Sequence, residues 1–497
     1  MQQDITDAGY RDLTSGQALL RLAKQVGVYG FGTALQRISG FLLIPLYIWK
    51  LSPEEYGLFG LVAVLPSVLS PVVSLGMPNT ITRYYHEWAR DDLAARNLGM
   101  IWVIATGSSL TAIFLLDQFG ETLLGYVLTQ VPFTPHIRLG LWWTFFASLG
   151  VCPLLLLRIR EQSRAYVAVS QVSFLLKVGL TAWVVLAGWG VVGIFWAQIA
   201  SSACIGMILT IWYLRQAVFR VHTPSIIRGL RFSLPLIPSA LLEVVAYRAD
   251  RFFLDKWVPL PEIGLYEAAN QIAQGVKLFY DSVKPAWVPF YIRVAEERKD
   301  ARKFLGEVVT LYIASLGFVA LAILFFAPNV VSWISGEGPY TRALPLLPIL
   351  IGGYLFHGLA PVGSMAILVA EQTRWQPLIL LGQVSAVVGA NLTLTPRFGA
   401  VGAAWSLLLS MAVLALLQLT VGQWVYSVKL EWARLRAVAA TGALFGTVGV
   451  GFPLGWIVTK VLLLVIFGLA IGVIVFSRRE PMRTVGEAVT TGDGKSG

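Results

Sequence analysis

The sequence predicts an all-α polytopic membrane protein: fourteen transmembrane helices in two pseudo-symmetric six-helix bundles, followed by two C-terminal helices. Three observations lead there: sustained apolar runs, one-sided placement of Lys and Arg, and an internal repeat. The 497 residues are 56% hydrophobic and only 13% charged, with a mean hydropathy of +0.70. A soluble domain carries about 25% charged residues, so this chain has too little polar surface to fold in water alone.

Apolar runs near the ~20 residues needed to cross a hydrocarbon core recur along the chain. They predict spans at 26–49, 57–77, 98–116, 138–157, 166–187, 190–213, 232–255, 262–290, 305–327, 343–370, 375–395, 399–421, 437–457 and 459–476. Prolines within several of them predict kinks. The segment 1–25 is polar, without the apolar core and cleavage site of a signal peptide, and reads as a cytoplasmic tail. Residues 26–215 form the first expected bundle and 230–421 the second. The additional helices lie in 437–476, and 477–497 reads as a disordered cytoplasmic tail.

With the N-terminus inside, 26 of the 38 Lys and Arg fall on the cytoplasmic side and five outside. Lys460 is among those five. This asymmetry sets the orientation, with both termini cytoplasmic. It also accounts for the net charge of +11 without nucleic acid, leaving some attraction to anionic lipid. The inner segment "RYYHEWARDDLAARN" reads equally as an interfacial helix or a solvated connector. Cys152 and Cys204 fall in apolar runs and predict no disulfide; the four histidines show no metal-ligand spacing.

The repeat appears at an offset near 210. "PEEYGLF" and "PEIGLYE" place Gly57 and Gly264 207 apart, each followed 21 residues later by Pro78 or Pro285. "EQSR" at Glu161 returns as "EQTR" at Glu371, and "GVVGIFW" from Gly190 answers "GAVGAAW" from Gly399. Six helices separate each pair, so the halves share one orientation and a pseudo-twofold along the membrane normal. The glycines are expected to serve close helix packing, and the Glu motifs helix capping.

A charge at the bilayer centre costs at least ~2.5 kcal/mol, yet the seventh span, "ALLEVVAYRADRFFLDKW", is rich in them. At 100° per residue Glu243, Tyr247 and Asp250 share one arc, continued by Arg248, Arg251 and Asp255. Asp255 and Lys256 are expected at the outer end of the helix. On the eighth span Glu267, Asn270, Gln271, Gln274, Lys277, Asp281 and Lys284 form one long polar stripe. Arg37 and Lys177 add positive charge from the first bundle, whose own counterpart of the stripe holds only Ser67, Ser70 and Ser74. Internal pairing explains such charges one by one: Arg248 or Arg251 with Asp250, Lys277 or Lys284 with Asp281. A continuous stripe argues for a hydrated pathway with two surplus positive charges, suited to an anionic substrate.

With the words "PEEYGLFGLVAVLPSVLSPVVSLGMPNTITRYY", "RFSLPLIPSALLEVVAYRADRFFLDKW", "IGLYEAANQIA" and "PRFGAVGAAWS", the chain resembles the polysaccharide biosynthesis (O-antigen and capsule repeat-unit) flippases. These belong to the multidrug/oligosaccharidyl-lipid/polysaccharide exporter superfamily. The resemblance implies a MATE-like architecture in a bacterial cytoplasmic (inner) membrane and a monomer. It also implies flipping of an undecaprenyl-diphosphate-linked oligosaccharide to the outer leaflet by alternating access, alongside polysaccharide polymerase or assembly machinery. By the same resemblance, Arg37, Arg248, Arg251, Lys277 and Lys284 are the candidate cationic cavity, to which the intramembrane charge of Lys177 is added. Glu243, Asp250, Glu267 and Asp281 are candidate coupling or charge-partner carboxylates for a proton or sodium gradient, with no other cofactor.

A lipid II flippase and a multidrug or cation exporter share the architecture; a cation carrier calls for an acidic cavity. A membrane polysaccharide polymerase fits less well. The longest outer connections are about 20 residues, too short for a folded domain, and no acid–base constellation is visible. An ATP-driven pump is disfavoured, because "GDGKSG" near the C-terminus has neither the upstream glycine nor the following helix of a phosphate loop.

Overall fold

The computed structural model describes residues 42–90, 93–219, 223–336, 338–450 and 457–476. Among them all regular structure is helical. In chain order the helices are α1 (42–50), α2 (Pro53–Val62), α3 (Leu65–Val73), α4 (Pro78–Arg90), α5 (Ala94–Val127), α6 (Arg138–Leu149), α7 (Val151–Ile159), α8 (Ser163–Leu186) and α9 (Gly190–Leu214). The second half holds α10 (Thr223–Ser233), α11 (Leu236–Trp257), α12 (Leu260–Ala273), α13 (Gly275–Glu297), α14 (Ala301–Ser335), α15 (Leu347–Val369) and α16 (Gln376–Val425). The chain closes with α17 (Trp432–Val450) and α18 (Ile457–Phe476).

Each predicted span coincides with a helix, a broken pair of helices or the described part of one. Among the described residues ten stretches are long and apolar enough to cross a membrane, and Thr373–Val425 holds two spans joined at Gly399. The α12–α13 pair is as long, but its charged and amide side chains keep it out of that set. Residues 26–41, which include Arg37, lie outside the described residues.

The repeat is visible in the backbone. Glu161 and Glu371 both take left-handed φ values, 56° and 55°, where α7 and α15 end. In each, the following glutamine N–H bonds the carbonyl four residues before the glutamate, on Leu157 or Ile367. Gly190 and Gly399 match likewise, at 59° and 57°, and each lies against a glutamate, Glu55 or Glu262. Pro78 and Pro285 do not correspond: Pro78 opens α4, whereas Pro285 lies inside α13.

The halves meet where α2 packs on α12. A Cβ on Gly264 would lie 1.7 Å from Pro53 O, and one on Gly57 would lie 2.5 Å from Leu260 O. The two contacts are one contact repeated by the twofold, since both residue pairs are offset by 207. Lipid offers helices no hydrophobic reason to associate, so close backbone approach at small residues supplies it. Next along the seam, Gly60 leaves the space that its symmetry mate, Glu267, fills.

Two helices were not among the predicted spans. α4 and α10 are amphipathic connectors; α4 buries Ile81, Tyr84 and Trp88 and exposes Arg83, His86 and Arg90. It packs on α5, α7 and α10, so the "RYYHEWAR" segment is a docked helix. α17 and α18 rest on α14 through Phe318, Phe445 and Phe467. Lys460, counted on the outer side, is buried near the start of α18, donating to Asn329 Oδ1 at 2.7 Å. Its partner sits 131 residues earlier, which no loop count reveals.

Replacing Gly264 by Ala should cost about 3 kcal/mol, the upper end for overpacking, because the obstacle is backbone. Replacing Gly389, which has open space around it, should be neutral or stabilising by up to ~1 kcal/mol. Thermal stability of the purified variants checks the contrast; equal behaviour would show that the α2–α12 contact is not under steric constraint.

Candidate functional site

Three polar regions emerge where the sequence suggested one. The first is an ionic cluster between α11 and α12. Arg251, 2% exposed, donates from Nη1 to both Asp250 oxygens at 2.9 and 2.7 Å. It donates from Nη2 to Glu267 Oε2 at 3.1 Å, with Nε 2.8 Å from Oε1. Tyr266 OH donates to Asp250 Oδ2. Asn270 Oδ1 accepts from Tyr354 OH at 2.9 Å. Of the pairings open in the sequence, Arg251 takes Asp250 and adds Glu267. Its guanidinium is therefore committed to two carboxylates. Arg248, one turn before, is half-buried and has no hydrogen bond or ion pair among the described residues.

The second region is a cavity of about 120 Å³ lined by Tyr47, Tyr56, Phe59, Lys177, Gln198 and Gln271. It draws on both halves, since Gln271 comes from α12. Lys177 Nζ lies 5.9 Å from the centre of the Trp143 ring. Gln198 Oε1 is buried with no partner among the described residues.

The third lies inside the second bundle. The expected stripe does not run unbroken, because the helix breaks at Gln274 between α12 and α13. Gln274 bonds Gln271 at 3.3 Å. Beyond it, Lys277 and Asp281 are engaged by neighbouring groups. Lys284 reaches a cavity with Tyr280 and His357. Glu243 is exposed and lines an adjoining cleft with Gln376, Gln383 and Gln418, which shares Tyr247 and Gln418 with that cavity.

Asp255, expected as an unremarkable end-of-helix charge, is 1% exposed. Its carboxylate accepts from Thr129 N and from Thr129 Oγ1 at 2.9 Å, both on Oδ2, and from Gln130 N at 3.2 Å on Oδ1. Gln130 Nε2 donates to the carbonyls of Asp255 and Val258. Thr129 and Gln130 follow α5, so this knot ties the two halves at one end of the molecule. At the same end Tyr340 OH donates to Leu51 O at 3.1 Å. Sequence reading missed Gln198, Tyr266, Tyr354 and His357. Polar atoms within apolar words, such as the glutamine of "FWAQIA", were the available signal.

Two twofold-related helical bundles meeting along a polar seam define a multi-pass membrane protein of the transporter fold. The lipid II flippase MurJ in an inward closed conformation matches with a TM-score of 0.73 at 12% identity, covering 90% of this chain and 99% of that one. An inward-facing multidrug resistance MATE family transporter matches at 0.58 and 14%, covering 82% and 96%. These likenesses are of fold. By sequence, residues 51–338 match the polysaccharide biosynthesis protein family, and the chain belongs to that family. It is 20% identical over 332 residues to a protein of the Lsg locus of Haemophilus influenzae, covering 64% of this chain and 78% of that protein. It is 22% identical over 385 residues to the succinoglycan biosynthesis transport protein ExoT of Rhizobium meliloti, covering 70% and 74%.

Removing Arg251 strands two buried carboxylates, so Arg251→Ala should cost about 3–5 kcal/mol. Combining Arg251→Met with Asp250→Asn and Glu267→Gln should recover much of that loss in a thermal melt. An Arg251→Ala protein as stable as wild type would contradict the cluster. Asp255→Ala should loosen the tie between the halves. Val131→Cys, buried beside it, should then react several-fold faster with a maleimide in a background lacking Cys152 and Cys204; an unchanged rate would show that the tie does not hold this end shut.

Proposed function

We propose that this protein is a flippase for a lipid-linked oligosaccharide, carrying an undecaprenyl-diphosphate-linked glycan from the cytoplasmic to the outer leaflet of a bacterial inner membrane for surface polysaccharide export. In this reading it is a secondary-type transporter with both termini cytoplasmic, not an enzyme. The observation that carries it is the cationic, amide-lined cavity between the halves, where Lys177 faces Gln198 and Gln271. Family membership and the name of the succinoglycan transport relative support the glycan cargo.

A cavity of about 120 Å³ holds no oligosaccharide, so passage requires the halves to part while the polyprenyl tail stays in lipid. Among the described residues, Lys177 and Arg248 are the cations assigned to a diphosphate: Arg251 is held by its carboxylates, and Lys284 borders the cavity within the second bundle. The knot at Asp255 would release when the molecule opens outward. Glu243, exposed at its cleft, is the carboxylate best placed to exchange protons or sodium with water.

Lys177→Ala and Arg248→Ala should each lower surface glycan export at least tenfold with membrane abundance unchanged, and Lys177→Arg should retain much of it. Normal export in both alanine variants would refute the cationic-site assignment.

A further inference from the structure

The cavity inside the second bundle has a composition that the flippase reading does not use. Its volume is about 170 Å³, and five aromatic rings line it: Tyr247, Tyr280, Trp287, Tyr312 and His357. The Tyr247 and Tyr280 rings lie 5.2 and 5.1 Å from that of His357, and Trp287 stacks on Tyr312 at 5.4 Å. These rings come from α11, α13, α14 and α15, and α16 adds Gln418.

Three polar atoms on lining residues lack partners among the described residues: His357 Nδ1, Trp287 Nε1 and Gln418 Oε1. The residues are 6, 4 and 6% exposed. His357 Nε2 already meets Tyr280 OH at 3.3 Å, and Tyr312 OH is spent on Gly358 O at 2.7 Å. Donors and acceptors without protein partners are thus left in the walls of one partly open cavity, Gln418 at its border with the Glu243 cleft. A buried polar atom left unpaired is unfavourable, so a polar occupant suits these walls.

The same walls limit what that occupant is. Ring faces are poor hosts for water alone, which needs two to four polar partners per molecule. An acyl chain would satisfy none of the three polar atoms. An organic cation, the usual guest of an aromatic cage, is opposed by Lys284, whose exposed side chain lies at the mouth. What fits is a molecule with apolar faces and hydrogen-bonding edges. A pyranose has that form: its C–H faces stack on aromatic rings and its hydroxyls both donate and accept. The volume takes one ring and not two.

We infer that this cavity binds a single sugar ring, preferentially one carrying a carboxylate that pairs with Lys284. The inference rests on the glycan cargo proposed above and adds a separate place on the protein where one sugar of that cargo is read.

The test uses the full-length purified protein in nanodiscs, titrated with methyl β-glucoside and methyl β-glucuronide by calorimetry and tryptophan emission. Weak saturable binding is expected, several-fold tighter for the glucuronide, with that preference lost in Lys284→Gln. Trp287→Phe keeps the ring and removes the N–H, and should weaken binding at least tenfold while erasing the emission change. Ser364→Phe, at the half-exposed rim of the cavity, should block binding without touching the interior, so a folding defect in the tryptophan variant does not decide the matter. Absence of saturable binding, or binding unchanged in both variants, would overturn the inference and leave a merely hydrated cavity. Export assays separate the two readings. Wild-type protein that exports glycan but binds neither glycoside defeats this site alone. Loss of export in Lys177→Ala and Arg248→Ala with glycoside binding intact upholds both.

Discussion

The structure depends on one contact, the backbone-to-backbone approach of α2 and α12 at Gly57 and Gly264. In lipid, apolar side chains gain nothing by leaving one apolar solvent for another, so packing distance and polar pairing decide assembly. Once these two helices touch, the rest of the seam is set. Glu267 is carried over Gly60, and Arg251 reaches it from α11. A larger residue at either glycine would separate the helices and take Glu267 out of its place.

The charges on α11 and α12 divide by environment. Where a cation finds two carboxylates in a sealed seam, as Arg251 does, the ions neutralise one another and the cluster serves assembly. Where a cation borders a cavity or stays half-buried without an anion, as with Lys177 and Arg248, its insertion cost of at least ~2.5 kcal/mol is not offset by an ion pair within the described structure. Those are the positions at which an anionic ligand would gain most.

The fold was legible because hydropathy, the Lys and Arg bias and an offset near 210 are one-dimensional signals. The paired glutamates at 161 and 371 kept their register down to the sign of φ. The site was less legible, since pairing is three-dimensional. A helical wheel groups Asp250 with Arg251 on α11 but says nothing of Tyr266, and it carries a stripe straight through Gln274, where the helix breaks. Asp255 looked like an ordinary charge near a helix end because its partners lie 126 and 125 residues away. His357 and Trp287 were hidden for the opposite reason: in an apolar word, an aromatic residue reads as packing until the cavity beside it is seen. Arg37 lies outside the described residues.

The α2–α12 contact has the form of an isologous interface, in which each partner offers the other the same patch. Pro53 meets Gly264 as Leu260 meets Gly57, so the two halves of this chain join as two identical subunits would. A half-length ancestor could have assembled this way as a homodimer, with fusion following. Gly60 and Glu267 mark what fusion then allowed. Two glutamates facing each other across a true twofold would have neither the room nor the counter-charge, and two glycines would leave Arg251 without one of its carboxylates. An unequal pair of halves, unlike two identical subunits, can set one acid against a glycine at this seam.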